Sequence, residues 1–331
     1  MNSALDLDGT IRLHGDVEIP RLGLGVFRTG SGGAANAAMT GALERGYRLG
    51  LRALRTGSGG AANAALTRVL ERGYRLGLRV VRAGASGATV DAVTWALERG
   101  YRLIDTAHIY RNEREVGEAV KNSPVPRQEI FLTTKLWNDD QGYDRTLRAF
   151  DESLRALQVD VIDLYLMHWP VVGKRLASWR AMERVFDEGR ARAIGVSNFA
   201  VRHLEELFAE ANIKPHINQI ELHPFCQQPA TVDWCREHGV VVEAYSPVTK
   251  GRRLGDATVQ RIAGEVGKSP AQVLIRWGLQ KGFVVIPKSA NRQRIDENAS
   301  VFGWSLSDAQ MEALGALDAD EHLAWNPSQV N

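Results

Sequence analysis

The chain has only two cysteines, Cys226 and Cys235, among 331 residues. That is too few for a disulfide framework, and neither sits in a metal-type spacing. Both are expected to be inert thiols in a reducing cytoplasm, with no metal bound. An excess of either charge is also missing. Forty-one basic residues against 39 acidic ones leave a net charge of +2, which excludes a broad basic field and makes nucleic acid or an anionic membrane a poor default partner. No apolar run reaches the ~18 residues of a membrane helix, and the start MNSALDLDGTIRLHGD carries charges where a signal peptide needs an apolar stretch. A GxGxxG after the first strand candidate is absent as well. The usual nucleotide loop of a doubly wound open sheet is therefore missing, which leaves that fold as the structural runner-up.

What is present is rhythm. After residue 100, short apolar runs alternate with amphipathic segments, the pattern of repeated βα units. The strand candidates are 101 to 107, 129 to 137, 161 to 169, 191 to 199, 216 to 224, 240 to 248 and 283 to 289, and RLGLGVF at 21 to 27 makes eight. Helical patterns lie between them at 144 to 157, 176 to 189 and 269 to 282, the last with Ser269 and Pro270 as a start and Gly282 as a stop. Eight such units over the remaining length predict a single α/β domain, a (β/α)8 TIM barrel. Residues 7 to 20 alternate apolar and polar positions around two Asp/Gly turn signals and read as a hairpin able to plug the barrel bottom. The tail from Asp318 to Asn331 lacks periodicity and reads as a loop that can fold over the active face.

In a barrel of this kind the working residues stand at the carboxyl ends of the strands. Those ends carry Asp105 with Tyr110 just beyond, Lys135, His168 with Trp169, Ser197 with Asn198, Gln219 with Glu221 and His223, Tyr245 with Ser246, and Lys288 with Ser289. An Asp, a Tyr, a Lys and a His from three successive strands can meet at one point. A free phenol titrates near ~10 and donates a proton poorly at neutral pH, and an adjacent ammonium brings it closer to that task. Asp105 would hold that ammonium, and a neutral His168 would orient a carbonyl oxygen. Glu221 could pair with Asp105 in a barrel hydrolase, and His223 has no second or third metal ligand at a suitable spacing.

The stretches GYRLIDTAHIYRNEREVG (100 to 117), LTTKLWN (132 to 138), DLYLMHWP (163 to 170), IGVSNF (194 to 199), NQIELHP (218 to 224) and IPKSANRQRIDEN (286 to 298) resemble the aldo-keto reductase family, near its bacterial 2,5-diketogluconate reductase group. The resemblance implies Tyr110 as the general acid, with Asp105, Lys135 and His168 completing a catalytic tetrad. It implies NADPH as the hydride source, with NADH as a substitute. Ser197, Asn198 and Gln219 would hold the carboxamide, and Tyr245 would lie against the nicotinamide ring. Ser246 and Val248 would follow the pyrophosphate. Lys288, Ser289 and Arg294 would bind the 2′-phosphate, and Glu297 and Asn298 the adenine. Relatives often carry Arg where this chain has Asn291, which relaxes the expected preference for NADP. Phe27, Trp137 and Trp169 would wall the substrate pocket, although each aromatic alone suits core packing equally well. His108 is read as a rim residue.

One feature stands apart. RTGSGGAANAAMTGALERGYRLGLR (28 to 52) recurs at 55 to 79 with three substitutions, and a looser copy at 82 to 106 ends in IDT instead of GLR. With the strand text RLGL included, the period is 27 residues, one strand and one helix per unit. The remaining units do not share the repeat, so a solenoid is excluded and a tandem expansion of the first βα unit is expected, with 28 to 81 inserted between the first two barrel strands. Only the first copy has Gly25 and Phe27, and only the third leads into Asp105. The sequence therefore predicts a monomeric, cytoplasmic, NADPH-dependent reductase of aldehydes or ketones, keto-sugars included. A barrel that binds NADPH to sense or scaffold is the alternative.

Overall fold

The computed structural model describes residues 7, 9–27 and 87–327. The repeat at 28 to 81 lies outside the described residues. Two short strands, β1 (Thr10–Arg12) and β2 (Glu18–Pro20), form an antiparallel hairpin. Eight parallel strands follow in one sheet whose spatial order is their chain order. They are β3 (Gly23–Gly25), β4 (Leu103–Asp105), β5 (Phe131–Leu136), β6 (Ile162–Met167), β7 (Ala191–Ser197), β8 (Ile217–Glu221), β9 (Val241–Tyr245) and β10 (Val284–Ile286). Parallel bridges Leu22 to Val285 and Gly25 to Lys288 join the last strand to the first. The fold is the expected (β/α)8 barrel.

Strand alternation sorts the core into two layers. On β6, Leu164 and Leu166 point into the barrel and Tyr165 and Met167 point out to the helices, as a two-residue period requires. Leu13 and Ile19 of the hairpin join Leu103, Phe131, Ile217 and Ile286 in the inner cluster, so the hairpin does close the barrel floor. Helices cover the outside: α1 (Ala88–Arg99), α2 (Glu113–Asn122), α3 (Tyr143–Leu157), α4 (Arg175–Asp187), α5 (Val201–Glu210), α6 (Pro229–Glu237), α7 (Ala257–Val266), α8 (Pro270–Gln280), α9 (Arg292–Ala299) and α10 (Asp308–Gly315). Ser269 caps α8 reciprocally with Gln272 while Pro270 fills its first turn, as the sequence pattern indicated. Gly117 lets α2 approach α3 closely, because a Cβ there would lie 2.3 Å from the Leu157 carbonyl oxygen.

Strand β3 carries the text of the first repeat copy, and α1 carries that of the third. Gly25 suits its place at the barrel seam, since even a Cβ would come within 3.3 Å of the Ile286 carbonyl oxygen. An arginine, which both later copies have there, would not fit without moving β10. Among the described residues, no helix is long and apolar enough to cross a membrane.

Candidate active site

Parallel register aligns the chemistry into rows across the carboxyl ends of the strands. Asp105 closes β4, and Lys135 stands one residue before the end of β5. Ser197, Gln219 and Glu243 are paired in turn across β7, β8 and β9. The Lys135 ammonium donates to both Asp105 oxygens, at 2.6 and 2.7 Å, and to the Thr106 carbonyl at 2.8 Å. Lys135 is fully buried, so a cation there depends on that carboxylate. Burial is the strongest single influence on its pKa and works downward. Asp105, with Tyr110 and Glu243, outweighs it and holds the ammonium above its ordinary value.

Tyr110 comes from a single 3-10 turn, His108–Tyr110, which Arg111 closes in the left-handed region at φ 58. Asn112 fixes that turn by donating to the Val26 carbonyl at 2.9 Å and accepting from Thr106 at 2.7 Å. The Lys135 ammonium lies 5.3 Å from the Tyr110 ring centroid. Burial raises the Tyr110 pKa above that of a free phenol. Lys135 pulls it down and Asp105 pushes it back up. The Lys135 ammonium, expected to bring the phenol closer to proton transfer, is outweighed by desolvation, and the phenol keeps its proton through the neutral range. His168 stands edge-on to Tyr110, with ring centroids 5.9 Å apart, and to Trp137 at 5.3 Å. Burial, with help from Lys135, drives its pKa well below the ordinary histidine value. The ring is neutral, as expected, and its buried Nδ1 has no hydrogen-bond partner.

Two residues of this network had not been singled out in the sequence. One is Asn112, which holds the turn. The other is Glu243, fully buried on β9. The Gln219 amide nitrogen bridges the two carboxylates, donating to Asp105 at 2.8 Å and to Glu243 at 2.9 Å. Glu243, and not Glu221, is thus the acid coupled to Asp105. A lone charge in the apolar run VVVEAY, two positions before Tyr245 and so on its face of the strand, was the available signal. Burial and the Asp105 charge, against weaker pulls from Gln219 and Lys135, push its pKa up to about 8 from an ordinary 4.5. A carboxyl that keeps its proton longer when folded stabilises the fold fully below its unfolded pKa, and the contribution is lost as pH rises through the folded one. Glu243→Gln keeps an acceptor for Gln219 but no titration. In urea unfolding at pH 5.5 and 8.5, the variant is expected to gain roughly 2–3 kcal/mol on the wild type between the two conditions. An unchanged difference would show that Glu243 titrates normally.

The residues expected at the nicotinamide are together. Ser197, Asn198 and Gln219 are buried. Asn198 donates to Ser197 and to the His168 carbonyl, both at 3.0 Å, and accepts from the Tyr245 hydroxyl at 2.8 Å. With the Gln219 nitrogen committed to two carboxylates, its oxygen is the acceptor left for a ligand amide. An amide wall beside a tethered aromatic ring fits a planar, carboxamide-bearing heterocycle. Ser246 follows at a positive φ of 53, and Val248 begins the next turn. On the neighbouring edge Lys288 and Arg294 are exposed, and Ser289 is buried with its hydroxyl bonded to the Asn291 backbone. Asn291 caps α9 by accepting from the Arg294 amide at 3.0 Å. A helix start with two cations and a hydroxyl fits a phosphate. Glu297 and Asn298 lie in the last turn of that helix.

Phe27 is 41% exposed, and its ring lies 4.9 Å from that of Tyr110. Trp137 and Trp169 flank His168. The tail does reach over this face, since Trp325 packs on Trp169 with centroids 5.8 Å apart. His108 is engaged with Glu113 at 3.2 Å, and Glu113 also accepts from Thr134 at 2.7 Å. Glu221 turns to the tail, accepting from the Leu323 and Ala324 amides at 3.0 and 2.8 Å.

Residues 87–319 match the model of the aldo/keto reductase family. The chain belongs to that family. It is 40% identical to a glyoxal reductase of Bacillus subtilis over 98% of both chains, and 46% identical to a 9,11-endoperoxide prostaglandin H2 reductase of Trypanosoma cruzi over 96% of this chain and 94% of that one. Among solved structures, a Gox0644 mutant in complex with NADPH superposes with a TM-score of 0.77 at 35% identity, covering 98% of this chain and 99% of the other. This aldo/keto reductase is an NAD(P)H-dependent oxidoreductase that reduces carbonyl compounds with NADPH.

Proposed function

We infer that Tyr110 is the general acid of carbonyl reduction and that Asp105, Lys135 and His168 complete its machinery. The observation that carries this reading is the buried Lys135 ammonium, held by Asp105 and 5.3 Å from the Tyr110 ring centroid. When bound, NADPH supplies the hydride. The chain's own part is to fix the carbonyl and deliver a proton. Neutral His168 donates a hydrogen bond to the carbonyl oxygen, and Tyr110 gives that oxygen its proton as negative charge develops. Proton loss from a buried phenol leaves a phenolate, and Lys135 is placed to stabilise it.

Ser197, Asn198, Gln219 and Tyr245 hold the nicotinamide in this reading, and Ser246 and Val248 follow the pyrophosphate. Lys288, Ser289 and Arg294 take the 2′-phosphate, with Glu297 and Asn298 at the adenine. Asn291 is spent on a helix cap instead of on the phosphate, which supports some use of NADH. Phe27, Trp137 and Trp169 form an aromatic wall suited to aldehydes and ketones, and polar keto-sugars of the 2,5-diketogluconate type belong in the same panel. Both cysteines are buried and unpaired, which supports a reducing, cytoplasmic setting. The repeat at 28 to 81 is read as a tandem insertion after β3. The test is NADPH oxidation with methylglyoxal, aromatic aldehydes and keto-sugars. Tight NADPH binding without turnover on any of them would favour a sensing barrel and overturn the assignment.

A further inference from the structure

A second group of reactive side chains lies at the next strand end, between the turn after β8 and the C-terminal loop. His223 and Cys226 face each other across a tight reverse turn, with backbone bonds of 3.2 and 2.9 Å in the two directions. The loop returns over this turn, and the Ala319 and Glu321 amides both donate to the Phe225 carbonyl. The crossing brings His322 onto Cys226, from 96 residues away, so that the sulfur lies 3.7 Å from each imidazole nitrogen. Asp320 Oδ1 is 3.1 Å from His322 Nε2. Ligand atoms of Cys226, Asp320 and His322 all fall within 4.8 Å of one another.

Two observations separate this group from an ordinary polar contact. First, the sulfur is equidistant from both nitrogens, so it is not lined up with the lone pair of either, as a single well-aligned S–H···N bond would require. Second, the buried surroundings contain unused donors and acceptors. Glu221 Oε1 and both nitrogens of His223 are buried without a hydrogen-bond partner, with Oε1 3.6 Å from His223 Nε2, while Glu221 Oε2 accepts from the Leu323 and Ala324 amides and lies 3.8 Å from His322 Nδ1. Each orphaned buried group costs about 1–3 kcal/mol. A cation held by Cys226, His322 and Asp320 would place positive charge beside the Glu221 carboxylate, whose Oε2 is 3.8 Å from His322.

We propose that Cys226, His322 and Asp320 form a zinc site, with a water in the fourth position, which clips the C-terminal loop to the turn after β8. Thiolate, imidazole and carboxylate together are the donor types zinc takes. Tetrahedral zinc with ordinary bond lengths places its sulfur and nitrogen ligands about 3.5 Å apart, close to the separation already present. Rotation of the His322 ring turns one nitrogen toward the metal. The Cys226 S–H bond breaks, the proton leaves to solvent, and the sulfur's electron pair goes to zinc. Resting on the reading of Trp169 as a pocket wall, the clip sets the position of Trp325 and hence the upper edge of the substrate pocket.

Cobalt(II) titration of the full-length, chelator-treated protein tests the site without reference to turnover. The expected result is about one equivalent bound, with intense tetrahedral d–d bands and a near-ultraviolet thiolate-to-cobalt band, all displaced by zinc. Cys226→Ser should remove the thiolate band, and His322→Gln should weaken affinity at least ~10-fold, the range seen when a metal site loses part of its shell. His322 lies on a surface loop, so that variant decides the matter if the buried Cys226→Ser protein does not fold. NADPH binding serves as the folding control. No thiolate band in the wild type, or the same cobalt affinity in the wild type and His322→Gln, would overturn the site while leaving the reductase reading intact.

Discussion

Tyr110→Phe is expected to lower kcat for aldehyde reduction by about 10²–10⁴-fold, the usual worth of a positioned general acid, while NADPH affinity stays nearly constant. The substitution removes one oxygen and leaves the ring, so the contact with Phe27 at 4.9 Å and the edge-on contact with His168 at 5.9 Å persist. The split between kcat and cofactor binding is diagnostic. A residue needed only to shape the rim would change KM for the carbonyl and spare kcat. Burial raises the Tyr110 pKa and depresses that of His168, so both stay in their working protonation states at neutral pH. Loss of the acid form at high pH should set the alkaline limb of kcat in the wild type, and that limb should be absent from the residual activity of Tyr110→Phe. Retention of more than a tenth of the wild-type kcat would remove Tyr110 from the role.

The barrel was legible in the sequence because each strand candidate was an apolar run bounded by helical periodicity, and all eight are strands in the fold. Contacts that depend on chain ends meeting were not legible. Nothing in the spacing of His223 and Cys226 points to Asp320 and His322, because the C-terminal loop has no period and its course is set by backbone bonds to Phe225 and Glu221. Glu243 was missed for a different reason. A charge inside an apolar strand reads as an exception to the pattern, whereas in this barrel it points inward beside Gln219. The balance of burial against charge at Tyr110 was likewise beyond the sequence, since composition shows which groups are near but not how much water each has lost.

Lys135→Met should be the most damaging single change to stability, with a loss of about 3–5 kcal/mol, the cost of leaving one partner of a buried ion pair uncompensated. Three acceptors, both Asp105 oxygens and the Thr106 carbonyl, lose their donor at once. Two carboxylates then share a single amide nitrogen, because Gln219 already bridges Asp105 and Glu243. Asp105→Asn combined with Lys135→Met removes both charges and should recover much of the lost stability, since neighbouring substitutions of this kind are not additive. Activity should not return with it, because the Tyr110 phenolate would still lack its cation. Urea unfolding of the two singles and the double, set beside their kcat values, separates the roles. Equal destabilisation by the double and by the sum of the singles would mean the pair does not act as a unit, and recovery of kcat along with stability would mean Lys135 only supports the fold.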